Sequence, residues 1–204
     1  MMKTDWKKLK SYQAKPSPLI IEIPPMNYLS VQGKGNPNTS DFQPCIEKLY
    51  GLAYPIKIRN KKLFPDNDFT VFPLEGIWDM DDEGRKLGYL DKNHLIFELL
   101  IGQPDCITMS YFLEIQKEVV SKKKDVSYEK VQWKSMEKGL YCQMLHIGSY
   151  DLEPETFRIM ETYVEENGYQ RISKIHQEIY LSDARKTKTE QLRTILRFAI
   201  EKKE

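Results

Sequence analysis

The chain has 204 residues, 40% of them hydrophobic and 30% charged, with a formal net charge of +1. That length buries a real core in one large domain or two small ones. The balanced charge gives no basic excess for nucleic acid, and no run of about 18 apolar residues offers a membrane span.

The start, "MMKTDWKKLKSYQ", is positive but has no apolar segment behind it, so it does not read as a secretory signal; Lys7, Lys8 and Lys10 read as a solvated helix or tail. "YLSVQGKG" (28–35) reads as a strand, and "SDFQPCIEKLYGLA" follows with Phe42, Cys45, Ile46 and Leu49 at helical spacing. "DFTVFPLEGIW" (68–78) reads as the next strand. "WDMDDEGRKLGYLDKN" (78–93) is an acidic loop whose Asp79, Asp81 and Asp82 lack the glycine and terminal Glu of an EF-hand. "HLIFELLI" (94–101) is apolar almost throughout, which suits a strand covered on both faces.

"TMSYFLEIQKEVVSKKK" carries a helical stripe of Phe112, Ile115 and Val119, and its lysine end complements the helix dipole. Tyr128, Val131 and Trp133 precede a turn near Lys138 and Gly139. "YCQMLHIG" (141–148) then repeats the first strand: it too runs from Tyr to Gly in eight residues. In the helix after it, "EPETFRIMETYVEENG", Pro154 suits the first turn and Phe157, Met160 and Val164 form the stripe. "KIHQEIYL" (174–181) is a strand, and "KTEQLRTILRFAIEKK" reads as a closing amphipathic helix.

The repeat of strand, helix and strand gives an α+β fold: pseudo-twofold duplicated strand–helix–strand–strand modules forming a curved, mainly antiparallel sheet with helices on one side. Residues 1–17 read as an N-terminal extension and 18–204 as a single domain, with one module at about 18–105 and the second at about 125–204.

Three dispersed cysteines, Cys45, Cys106 and Cys142, point to reduced thiols and a cytoplasmic setting, with Cys45 and Cys142 on apolar stripes. No Cys or His pair has ligand spacing, so no metal site is expected. No glycine-rich phosphate loop is present, and no cofactor is expected.

Side chains alternate along a strand. His176, Glu178 and Tyr180 therefore share one face of 174–181, and Ile175, Gln177, Ile179 and Leu181 share the other, which looks like core. The polar face is either solvated or lines a pocket in which a carboxylate meets a ligand.

The stretches "PLEGIW", "QPDCIT", "GLYCQMLHIGSYDLEPETFRIMETYVEENGY" and "HQEIYLSDARKTKTEQLRTILR" resemble the GyrI-like family of small-molecule-binding domains over roughly residues 18–198. The resemblance implies a ligand cleft between two modules. It also implies an acidic residue on the last strand, here Glu178, that meets cationic or polarised aromatic ligands. Trp78 and Tyr150 are the aromatic walls that go with it, Tyr180 a hydrogen-bond donor, and Tyr111 and Trp133 further aromatic candidates. A core role for Trp78 and a strand-edge salt bridge for Glu75, which aligns with Glu178 in the repeat, stand beside these readings.

The implied function is binding of hydrophobic planar or cationic xenobiotics. The alternative is hydrolysis of the cyclopropane ring of DNA-alkylating natural products, with Glu178 as base and Tyr180 as oxyanion donor. A third reading is a protein-binding topoisomerase inhibitor, to which the near-neutral charge lends little. Three positions depart from the family pattern. Asp79 stands where a second Trp is common, Phe97 is the one aromatic of "NHLIFELLIG", and Ala184 stands where Pro is common. The first two thin the aromatic wall and favour binding over catalysis.

Overall fold

The computed structural model describes residues 4–39 and 42–203. In chain order its elements are β1 (Leu19–Ile23), β2 (Met26–Lys34), α1 (Phe42–Leu63), β3 (Leu74–Met80), α2 (Asp82–Lys86) and β4 (Leu95–Gln103). Next come α3 (Met109–Lys123), β5 (Gln132–Met136), β6 (Gly139–Ile147), α4 (Glu153–Glu166), β7 (Tyr169–Arg171), β8 (His176–Tyr180) and β9 (Arg193–Lys202). The fold is α+β, and the strand pairs described below are all antiparallel. Among the described residues no helix is long and apolar enough to cross a membrane.

The expected strand–helix pairs appear as β2 with α1 and as β6 with α4. Ser40 and Asp41, assigned to the first helix from sequence, lie outside the described residues. The third strand begins only at Leu74, after Pro73, which has no N–H to give a ladder. Within the acidic loop, Asp81 caps α2 by accepting from Gly84 N at 2.8 Å and meets His94 Nδ1 at 3.0 Å. Its carboxylate is thus already committed.

The closing segment overturns a sequence expectation. It is not a helix but the ten-residue strand β9, paired with β6 on one side and β8 on the other. Thr194, Ile195, Leu196, Arg197, Phe198 and Ile200 are all buried, so both faces are covered. Such a strand shows no polar alternation, and its apolar run mimics a helical stripe.

The chain divides into two compact units. The first comprises Met26–Leu74 and Met80–Met136, with the residues up to Trp6. Its strands lie in the order β4-β2-β5. Leu29 pairs with Ile101 and Trp133, and Gly33 pairs with Phe97, so these side chains share one face. Phe42 of α1 meets Phe97 edge-on at 5.1 Å, and Phe112 of α3 lies 6.0 Å from Trp133. Both helices therefore cover that face. Gly33 is required there, because a Cβ would fall 2.3 Å from the Phe97 ring. On the opposite face Glu98 accepts from Ser30 Oγ at 2.9 Å and pairs with Lys134.

The second unit comprises Lys7–Pro25, Glu75–Asp79 and the chain from Glu137 onward. Its strands lie in the order β1-β6-β9-β8-β3, and β7 also pairs with β9. Cys142, Met144, Leu196 and Phe198 pack with Met160 and Val164, so α4 covers their face. The other face is buried as expected at Ile179, with its cross-strand neighbours Ile195 and Leu145, but it is not apolar throughout. It holds a buried polar network. The Arg197 guanidinium donates to Gln143 Oε1 at 2.9 Å, to Gln177 Oε1 at 3.2 Å and to the Ser11 carbonyl. Gln177 Nε2 donates to Glu75 Oε2 at 2.6 Å, and the Tyr12 hydroxyl donates to Glu75 Oε1 at 2.5 Å. Gln143 Nε2 reaches the Gln13 carbonyl at 2.9 Å. Residues 11–13 are thereby fastened onto this face, while Lys7, Lys8 and Lys10 remain exposed as expected. Buried polar groups persist only when bonded in this way.

Candidate functional site around Glu178

Strand β8 lies between β3 and β9, and its register decides which side chains meet. Glu178 pairs with Leu196, a residue of the core under α4, so Glu178 and its neighbours at 176 and 180 face the helix-bearing side. Across β3, Gly76 stands opposite Glu178 and Trp78 opposite His176. Glu75 therefore points to the other face. The repeat alignment that placed it with Glu178 is corrected by one residue, and in place of a strand-edge salt bridge it has Tyr12 and Gln177.

Four of the residues selected from sequence come together. Trp78 Nε1 donates to the Tyr180 hydroxyl at 2.9 Å, and that hydroxyl donates to Glu178 Oε2 at 2.8 Å. The other carboxylate oxygen, Oε1, lies 3.1 Å from His176 Nε2. The Tyr150 ring stands edge-on to Tyr180 with centroids 6.1 Å apart. Glu178 is 7% exposed and Trp78 6%, whereas Tyr150 is 36% exposed and is the open edge of the cluster. Tyr111 and Trp133 belong to the first unit, where Tyr111 lies under the Arg59 guanidinium and Trp133 packs on Phe112.

Local geometry explains the arrangement. A Cβ on Gly76 would lie 2.6 Å from Trp78 Nε1 and 3.1 Å from the Tyr180 hydroxyl. The missing side chain is the space into which the indole folds back along its own strand to reach Tyr180. Tyr150 sits on the short turn Tyr150–Leu152 that opens α4. His146 holds that turn: its Nε2 lies 2.9 Å from the Ser149 carbonyl and its Nδ1 2.8 Å from Thr156 Oγ1. A carbonyl only accepts, so Nε2 carries a proton here, while the Thr156 hydroxyl can serve Nδ1 as donor or acceptor.

Burial first, then the charge of Glu178, holds the Tyr180 phenol well above its ordinary value of 10. The same causes push Tyr150 up to about 12. Both phenols keep their protons at neutral pH, so Tyr180 is a donor with its single proton committed to Glu178. Sequence reasoning placed His176 on this face without a role, and its contact with Glu178 is the missed element. An i,i+2 pair on a strand was the available signal. An open groove elsewhere on this unit, lined by Pro18, Arg158, Ile159, Thr162, Tyr163 and Glu166, holds none of these residues.

Comparison with solved structures agrees with this architecture. A conserved protein of Listeria innocua, described as uncharacterised, is similar at 33% identity and a TM-score of 0.89, over 98% of this chain and 100% of its own. A hydrolase from Listeria innocua is similar at 32% identity and a TM-score of 0.85, again over 98% and 100%. The C-terminal domain of EcmrR shares the fold at 17% identity and a TM-score of 0.52, over 92% of this chain and 98% of that domain. No curated protein matches the chain. The sequence profile of the GyrI-like small-molecule-binding domain matches residues 16–201, and the chain belongs to that family.

Proposed function

We propose that the Glu178 site binds small planar aromatic molecules and prefers cationic ones, with Glu178 as counter-charge and Tyr150, Trp78 and Tyr180 as aromatic surroundings. One observation carries this reading. Glu178 is a buried carboxylate whose bonds come from a phenol and an imidazole, and among the described residues no Lys or Arg pairs with it. A buried charge so placed is costly until a cation compensates it. Aromatic rings add about 0.5–2 kcal/mol each when a cation lies over their faces.

The test compares a permanently charged planar probe, N-methylquinolinium, with its neutral isostere 1-methylnaphthalene. Glu178→Gln should weaken the cation roughly tenfold or more and leave the neutral probe within about twofold. Equal loss of both would make Glu178 a scaffold residue.

A second reading, favoured by the likeness to Listeria innocua hydrolases at 32–33% identity, is hydrolysis at the same site. Water attacks a ring carbon of a cyclopropane conjugated to a carbonyl, and the strained C–C bond breaks toward that carbonyl. Glu178 takes the water proton. As the carboxylate is neutralised, the Tyr180 proton is released to bond the oxygen that has gained charge. Trp78, which donates to Tyr180, holds the phenol through both stages.

A further inference from the structure

We propose that His176 sets the net charge of the Glu178 site, so that an aromatic cation binds there with release of the imidazole proton. The inference rests on the ligand site proposed above and adds the group that regulates it.

Both ring nitrogens of His176 face acceptors. Nε2 lies 3.1 Å from Glu178 Oε1 and Nδ1 lies 3.3 Å from the Lys174 carbonyl. A neutral imidazole has one N–H, so only the imidazolium satisfies both. When the ring is protonated, its positive charge sits against the carboxylate and the pair is close to neutral. When the ring is neutral, Nε2–H still holds Glu178 in place, but the negative charge is left for a ligand. Proton and ligand cation thus compete for one carboxylate. The imidazole side chain is 21% exposed, so its proton exchanges with water.

The surroundings direct the imidazole charge onto Glu178. Trp78 stands opposite His176 in β3, and on α4 the Phe157 ring meets it edge-on at 4.8 Å; both are neutral. Along β8 the Tyr180 phenol keeps its proton and bonds the other oxygen of Glu178, and the buried Glu153 at the start of α4 adds a second negative charge near that phenol. The charged groups behind Phe157 are already paired: Glu161 with Arg171 at 2.8 Å and with Lys174 at 3.1 Å. His176 is therefore a positioning residue: it acts through Glu178, and its charge can be read separately from its hydrogen bond.

Calorimetry of N-methylquinolinium binding at pH 6.5, in two buffers of different ionisation enthalpy, counts the protons released. The wild-type protein should release a fraction of a proton per cation bound. Its affinity should rise roughly fivefold or more from pH 5.5 to 8. 1-Methylnaphthalene should bind without release and without pH dependence. His176→Gln keeps a neutral donor toward Glu178, so it should bind the cation with no proton release and a flat pH profile. Should that variant fail to fold, the same event is read in the wild-type protein as a cation-induced shift of the His176 Cε1–H resonance toward its neutral position. No proton release by wild type, or equal release by His176→Gln, overturns the proposal. If Glu178→Gln loses the cation while His176→Gln still releases a proton, only the role of His176 falls. If Glu178→Gln binds the cation unchanged, or wild type binds neither probe, the site reading falls and takes this inference with it.

Discussion

Raising the pH from 5 to 8 should destabilise the fold through Glu75. Full burial pushes its carboxyl from 4.5 up to about 7, against the opposing pull of the Tyr12 hydroxyl, the Arg197 charge and the Gln177 amide. Between those two values the folded protein holds the proton and the unfolded chain does not. Stability from this group is complete below about pH 4.5 and is lost as the pH rises through 7. At about 1.4 kcal/mol per pH unit, a rise of this size is worth roughly 3 kcal/mol across the window. Urea unfolding at pH 5, 6, 7 and 8 measures it. Glu75→Gln removes the titrating group, so relative to wild type it should gain roughly 3 kcal/mol on going from pH 5 to 8, whatever its constant offset. Tyr12→Phe deletes a bond that favours the carboxylate, so its cost should be larger at pH 8 than at pH 5. A difference between wild type and Glu75→Gln that is the same at every pH would refute the reasoning.

Two further outcomes follow from the packing. Gly76→Ala drives a methyl into the space occupied by the Trp78 indole and breaks the bond to Tyr180, which should cost about 1–3 kcal/mol and alter the near-ultraviolet dichroism of the Trp residues; unchanged stability and dichroism would mean that the indole has room to move. If the site is hydrolytic, excess cyclopropane-bearing alkylator should yield ring-opened alcohol over many turnovers; Glu178→Gln should abolish this with binding retained, and Tyr180→Phe should lower the rate roughly 10²-fold. One equivalent bound with no product, measured by chromatography, leaves the binding function alone standing.

Local periodicity carried the sequence reading where an element has one wet side. The stripe of Phe112, Ile115 and Val119 is buried on α3, and of the α4 stripe Met160 and Val164 are buried while Phe157 packs half-buried at its edge, as their spacing requires. Period two also separated Glu178 from Gln177 correctly. The same reasoning failed at Arg193–Lys202, because a strand buried on both faces leaves no alternation to read. It could not name what meets Glu75 or Arg197 for a different reason. Their partners, Tyr12 and Ser11, lie 63 and 186 positions away, and periodicity names a face without naming what covers it. The Trp78 indole is similar. Its type and strand were visible, but the bond to Tyr180 across 102 positions depends on the β3–β8 register and on the empty space at Gly76.

The two faces of β8 carry separate electrostatic tasks, and Gln177 is the hinge between them. Its amide bonds Glu75 with the nitrogen and Arg197 with the oxygen, so neither end is free to exchange. A slip of one residue would carry Gln177 toward α4 and turn Glu178 into the polar network, where a second carboxylate would oppose Glu75. The buried network thus fixes the register that aims Glu178 at the helix-bearing face. The two carboxylates are thereby separable by experiment. Changes at Glu75 should alter how stability depends on pH while the charge preference at the proposed site stays, because Glu75 lies on the other face of the sheet. Changes at Glu178 should alter that charge preference while the pH slope from Glu75 persists.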